Sequence, residues 1–154
     1  MQADAVVAFD RVFELAARLG GMMERALADR GLTTARAEVL FVLHQRGAMV
    51  QRELGEALHC TPRHVTGLVD TLEKQGWVAR RPHPTDRRAT LVSLTERGAA
   101  AAARMDAERR EAADELFGGM PADDLAAFVA VADRVLDRIG RPAPSDVSSG
   151  GPAG

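Results

Sequence analysis

Residues 61–98 read TPRHVTGLVDTLEKQGWVARRPHPTDRRATLVSLTERG, and two unlike periodicities meet inside this stretch. It opens on Thr61-Pro62, where threonine is a good helix N-cap and proline is favoured at the first helical position. Val65, Leu68, Val69 and Leu72 then recur at the spacing of a helix with one apolar face, and Gly76 stops it. Beyond Gly76 the period shortens. WVARR and ATLVSL are short, β-rich and alternating, and PHPTDRR with its two prolines separates them. This predicts a β-hairpin with a basic loop of seven or eight residues and His83 at its tip. Thr95 is placed to cap the next helix, with Glu96 and Arg97 in its first turn.

Outward from this stretch the chain is helical. Phe9, Val12, Phe13, Ala16, Leu19, Met23, Ala26 and Leu27 mark a first helix, closed by Gly31. Thr33 or Thr34 caps a second through ARAEVLFVLHQR, with Val39, Leu40 and Leu43 inward and Gly47 at its end. After a short AMV segment, QRELGEALHC forms a third, short helix with Leu54, Ala57 and Leu58 on one face. Downstream of Thr95 an Ala-rich helix extends to about Phe117, and Gly118-Gly119 break it. Pro121 starts a last helix with the stripe Leu125, Phe128, Val129, Ala132, Val135, Leu136 and Ile139. Residues 141–154 hold almost no large apolar side chain and are expected to be a disordered tail. The expected class is mainly α with a small β-hairpin wing (α+β). The first helix and the last two carry apolar faces too generous for so small a domain, and the simplest surface to cover them is a second copy of the chain.

Composition bounds the function. The chain has 154 residues, 46% of them hydrophobic, which suits a single folded domain with extensions. A lone cysteine, Cys60, excludes an intramolecular disulfide framework. Asp4, Asp10 and Glu14 interrupt the N-terminal apolar stretch, unlike a signal peptide, and no apolar run approaches the ~18 residues of a membrane span. No membrane partner and a cytoplasmic location are therefore expected. The formal charge of −2 argues at first against a nucleic-acid partner. It is an average over unlike regions: residues 63–88 hold six bases against three acids, and residues 99–154 hold six against ten.

A short helix, a tight turn, a capped helix and a hairpin together make a winged helix-turn-helix. A major groove about 12 Å wide accepts one helix, whose first turns reach the base edges. With Val65, Leu68, Val69 and Leu72 inward, the opposite face presents Arg63, His64, Thr66, Gly67 and Asp70. Arg63 can pair bidentately with guanine, and Thr66 can meet a base edge or a thymine methyl. In the hairpin, Arg80, Arg81, Arg87 and Arg88 flank the loop, Asp86 can brace one of them, and a projecting arginine suits a narrow minor groove. A solvated helix face and a salt-bridged hairpin are the plainer readings of the same residues.

GWVARRPHPTDRRATLVSLTERG closely resembles the wing of the MarR family of bacterial transcriptional regulators, with Asp86-Arg87-Arg88 followed by Leu94-Thr95 as its signature. TPRHVTGLVDTLEKQGWV resembles that family's recognition helix and GLTTARAEVLFVL its second helix, so the likeness covers about residues 5–140. The resemblance implies a homodimer built from residues 5–31 and 95–140, and a winged helix-turn-helix DNA-binding domain over 32–94. Two such domains would sit on a pseudo-palindromic operator with half-sites roughly one helical turn apart. It places DNA contacts at Thr61, Arg63, His64 and Thr66 on the helix and at Arg87 and Arg88 in the wing, with Asp86 as the wing brace. Two residues depart from the pattern: His83 stands where the family often has Asp, and Val50 where a Ser or Thr cap is common.

The implied function is a sequence-specific regulator of double-stranded DNA, a repressor released by a small aromatic or anionic effector. No cofactor is implied. Cys60 lies just before the recognition helix, and relatives that sense peroxide carry their cysteine elsewhere. His44, His59, His64 and His83 show none of the i, i+4 spacing of a helical metal site. The chain also lacks a Gly-rich phosphate loop and a nucleophile elbow, so no enzymatic activity is expected. A winged module for protein interaction remains the other non-enzymatic reading.

Overall fold

The computed structural model describes residues 4–140. In chain order these form α1 (Ala5–Ala28), α2 (Thr34–Arg46), β1 (Met49–Val50), α3 (Gln51–Ala57), α4 (Pro62–Lys74), β2 (Val78–Pro82), β3 (Thr90–Leu94), α5 (Glu96–Phe117) and α6 (Ala122–Gly140). The class is mainly α with one small antiparallel sheet of order β1-β3-β2. Two compact units divide at Arg109/Arg110, within the continuous helix α5. The tail expected over 141–154 lies outside the described residues.

In the first unit local chemistry sets the helix ends. The Thr33 hydroxyl accepts the Arg36 N–H at 3.3 Å, and the Thr61 hydroxyl accepts the His64 N–H at 3.2 Å, so each satisfies a donor left open in a first helical turn. Between α3 and α4 the chain turns at His59, whose φ of 53° is the left-handed conformation that usually falls to glycine, while the Cys60 N–H reaches back to the Gly55 carbonyl at 2.9 Å. A Cβ at Gly55 would lie 3.1 Å from Val65, so the two helices cross at close range there. Val65, Leu68, Val69 and Leu72 of α4 meet Val39, Leu40 and Leu43 of α2, Leu54 of α3, and Trp77, Val78 and Val92 of the sheet in one buried core.

One feature differs from the sequence reading. The AMV segment contributes β1, which pairs Met49 with Val92 and Val50 with Leu91. Val50 makes no side-chain cap, in keeping with the missing Ser or Thr, and strand pairing anchors the start of α3 instead. At the other end of the hairpin, the Thr95 hydroxyl donates to the Gly76 carbonyl at 2.7 Å and accepts the Gly98 N–H at 3.0 Å. Gly98 is seated so closely that a Cβ would stand 1.9 Å from the Trp77 carbonyl oxygen. The Arg97 guanidinium lies over the Trp77 ring at 4.4 Å, closing the joint from outside.

Helix α1 has two unlike faces. On the polar one Glu14 bridges Arg11 and Arg18 at 2.6 and 2.7 Å; the Arg11 hydrogen bond first, and the Arg18 charge next, hold its carboxyl below the usual range. On the other, Phe9 and Phe13 pack against each other, yet Phe13 remains 63% exposed. Near the end of the helix Leu27 is buried, and just beyond it Arg30 pairs with Glu108 of α5. In the second unit Gly119, at φ +81°, turns the chain into α6, and Phe117 packs on Phe128 with ring centres 5.9 Å apart. Leu136 and Ile139 of α6 are 63% and 74% exposed.

Gly98→Ala is expected to lower stability by about 1–3 kcal/mol, because backbone must move to admit the methyl. Urea denaturation of the two proteins checks this; an unchanged midpoint would contradict the close seating of α5 on Trp77.

Candidate nucleic-acid interface

Helix α3, the turn through His59, α4 and the β2–β3 hairpin form a winged helix-turn-helix, and α4 is its presenting helix. With the apolar face buried, Arg63, His64, Thr66, Gly67 and Asp70 lie exposed on the other side. The side chains of Arg63 and His64 have no ion pair or side-chain hydrogen bond among the described residues. At Gly67 a Cβ would meet nothing within 4 Å, so the surface beside Thr66 is open. Thr66 itself is tied inward: its hydroxyl donates to the Pro62 carbonyl at 2.8 Å and accepts from Gln51 Nε2 at 3.1 Å.

The root of the wing is built on one guanidinium. Arg80 pairs with Asp70 at 2.7 Å and Glu73 at 3.2 Å, and its Nε donates to Gln51 Oε1 at 3.0 Å. The Arg80 backbone N–H also donates to Glu73 Oε2 at 3.0 Å. Strand alternation sends Arg81 to the opposite face of the sheet, where it is exposed. Beyond β2 the loop is organised from inside. His83 Nδ1 accepts the N–H groups of Thr85 and Asp86 at 3.2 and 3.1 Å, which requires the ring without a proton at Nδ1. Asp86 Oδ1 accepts the Arg88 N–H at 3.0 Å. Arg87 and Arg88 project from this turn into solvent. An open groove of about 870 Å³ separates the wing from α3 and the start of α4, and Thr66, His83, Asp86 and Arg88 line it together.

Residues 32–90, from the start of α2 to the far side of the wing loop, match the model of the MarR family. That winged region is a MarR-family domain. The transcriptional repressor YetL of Bacillus subtilis is 29% identical to it over 102 residues, which are 65% of this chain and 61% of that protein. The multiple antibiotic resistance protein MarR of Escherichia coli is 28% identical over 116 residues, covering 75% and 81% respectively. The crystal structure of an S. aureus MepR–DNA complex shares the fold, with a TM-score of 0.73 at 18% identity over 85% of this chain and 97% of that one.

Against its MarR-family resemblance the chain shows three refinements. Arg80, grouped by sequence with the outward arginines, is a structural residue, 21% exposed and held by two carboxylates. Asp86 braces the backbone of the loop by accepting the Arg88 N–H. His83 sits inside the base of the loop, half-buried, with Pro84, Thr85, Asp86 and Arg87 beyond it. Thr61, expected as a DNA contact, has its hydroxyl engaged in the α4 cap and is exposed at the helix start. Cys60 is half-buried and its thiol donates to the Leu58 carbonyl at 3.5 Å. Among the described residues no group of three or more His, Cys, Asp or Glu is placed to hold a metal ion.

Arg80→Gln leaves Asp70 and Glu73 facing each other one turn apart. The expected cost is about 1 kcal/mol, moderated by the exposure of both carboxylates. In an Asp70→Asn/Glu73→Gln background the same substitution should cost much less. Equal losses in both backgrounds, measured by urea denaturation, would contradict the clamp.

Proposed function

We propose that this chain is a homodimeric transcriptional repressor that binds a pseudo-palindromic double-stranded operator and is released by a small aromatic or anionic effector. The observation that carries the DNA-binding reading is one open groove lined by α4 through Pro62 and Thr66 and by the wing turn through His83, Asp86 and Arg88, with Arg63, His64 and Arg87 exposed on the same two elements. Asp70 and Glu73 are both drawn onto Arg80, and residues 63–88 as a whole hold six bases against three acids, a local surplus of three positive charges. Arg63 is assigned to a guanine edge, Thr61 and His64 to the backbone at the helix start, Thr66 to a base, and Arg87 and Arg88 to the phosphates and minor groove beside the site.

The dimer is supported by the apolar faces. Phe9, Val12 and Phe13 on α1, and Phe128, Leu136 and Ile139 on α6, are all exposed within the single chain, and contiguous apolar surface of that kind marks an interface. The repressor reading is supported by the likeness to YetL, which is named a repressor, effector release is carried over from the resemblance to the MarR family, and the DNA complex of MepR supports the partner. No helix among the described residues is long and apolar enough to cross a membrane, and the proposed site of action is the cytoplasm.

Arg88→Ala should weaken binding to all duplexes and flatten the salt dependence by about one unit per protomer, whereas Arg63→Ala should relax preference at particular base pairs. Fluorescence anisotropy across a salt series, on promoter DNA from beside the gene and on unrelated duplex, reads both effects. No sequence-selective binding at low salt would end the regulator reading. Phe13→Glu should convert a dimer to a monomer in sedimentation; an unmodified chain that is monomeric at micromolar concentration would refute the dimer.

A further inference from the structure

Thr66 lies on the exposed face of α4, and the one hydrogen of its hydroxyl is already spent. A threonine hydroxyl has one hydrogen to give and two lone pairs to accept with. The hydrogen goes to the Pro62 carbonyl one turn back at 2.8 Å, and Gln51 Nε2 occupies a lone pair at 3.1 Å. Gln51 is not free to move away, because its Oε1 takes the Nε–H of Arg80 at 3.0 Å, and Arg80 is in turn clamped by Asp70 and Glu73. A continuous polar chain therefore runs from the wing root through α3 to one side chain of α4. With the hydroxyl held against its own helix, the methyl is the group that Thr66 offers outward. Its neighbour Gly67 leaves the adjacent surface empty, so nothing prevents close approach.

We infer that Thr66 recognises a thymine through methyl–methyl contact, and that Gln51, held by Arg80, is the positioning residue that fixes it in this orientation. The inference rests on the DNA-binding reading above. In the major groove only A·T pairs display a C5-methyl, so an apolar contact there separates thymine from uracil as well as from the other bases. A hydroxyl with no hydrogen left to donate has little to offer the acceptors of a guanine or an adenine edge.

The test starts from an operator recovered by selection of random duplexes on the full-length chain. Each half-site thymine is then replaced singly by deoxyuridine, which removes the methyl and leaves the Watson–Crick pair intact. Binding of the parent chain should fall about fourfold per half-site at one position, the loss expected for one buried methyl. Thr66→Val, which keeps a methyl and lacks the hydroxyl, should retain that sensitivity. Thr66→Ser, which keeps the hydroxyl and lacks the methyl, should bind thymine and uracil operators alike. Gln51→Ala should reduce the thymine-to-uracil ratio while leaving the salt dependence of binding unchanged, a split that general loosening of the fold would not produce. Full uracil sensitivity in Thr66→Ser, its loss in Thr66→Val, or no sensitive thymine for the parent chain would each overturn the inference. A selection that yields no shared motif would instead sink the DNA-binding reading beneath it.

Discussion

The guanidinium of Arg80 is the point at which α3, α4 and the wing are tied together, and the reading surface depends on that tie. A planar fork can face two carboxylates and an amide oxygen at once, which an ammonium on a flexible stem does with far less geometric definition. The apolar core acts in the same sense from below, since Val65, Leu68, Val69 and Leu72 press α4 onto Val78 and Val92 of the hairpin. Burial alone is tolerant of small rotations. Directional ion pairs are not, and they select one placement of α4 against the wing from those the core would permit.

The same clamp settles the electrostatics. Asp70 and Glu73 stand on or beside the face proposed to meet a polyanion, and uncompensated they would repel it. Drawn onto Arg80 they are masked at short range, so the field of the first turns and of the wing is set by Arg63, Arg87 and Arg88. The whole-chain charge of −2 is then a poor guide to the surface, since the acidic excess lies after residue 98. Local cationic surface on an acidic chain also restrains indiscriminate attraction to DNA, which grows with net positive charge.

Much of this was legible because its signals are local. Thr61-Pro62, the Val65-to-Leu72 stripe, Gly76 and the alternating WVARR and ATLVSL runs each act within a few residues, and helix α4 and the hairpin lie where those signals put them. What escaped was non-local or too small to carry a period. Two residues of β1 have no pattern of their own and are defined only by Val92 and Leu91 across the sheet. The role of Arg80 depends on carboxylates seven and ten positions earlier being turned toward it, although strand alternation with Arg81 already hinted that the two arginines would part company. The detail of the wing turn is not legible because its hydrogen bonds run from backbone N–H groups to side chains: His83 and Asp86 both serve as acceptors for amide groups, which residue type and spacing do not reveal.

The seating of Gly98 against Trp77 has a mechanical meaning. A joint with a van der Waals gap lets one element roll while its neighbour stays still, whereas here the peptide of Trp77 occupies the space in which a side chain of α5 would otherwise turn. Thr95 bonds both sides of that joint, and Arg97 covers it. The first turn of α5 and the root of β2 therefore meet backbone to backbone, with no side chain between them to take up a rotation, and a few residues further along β2 stands Arg80.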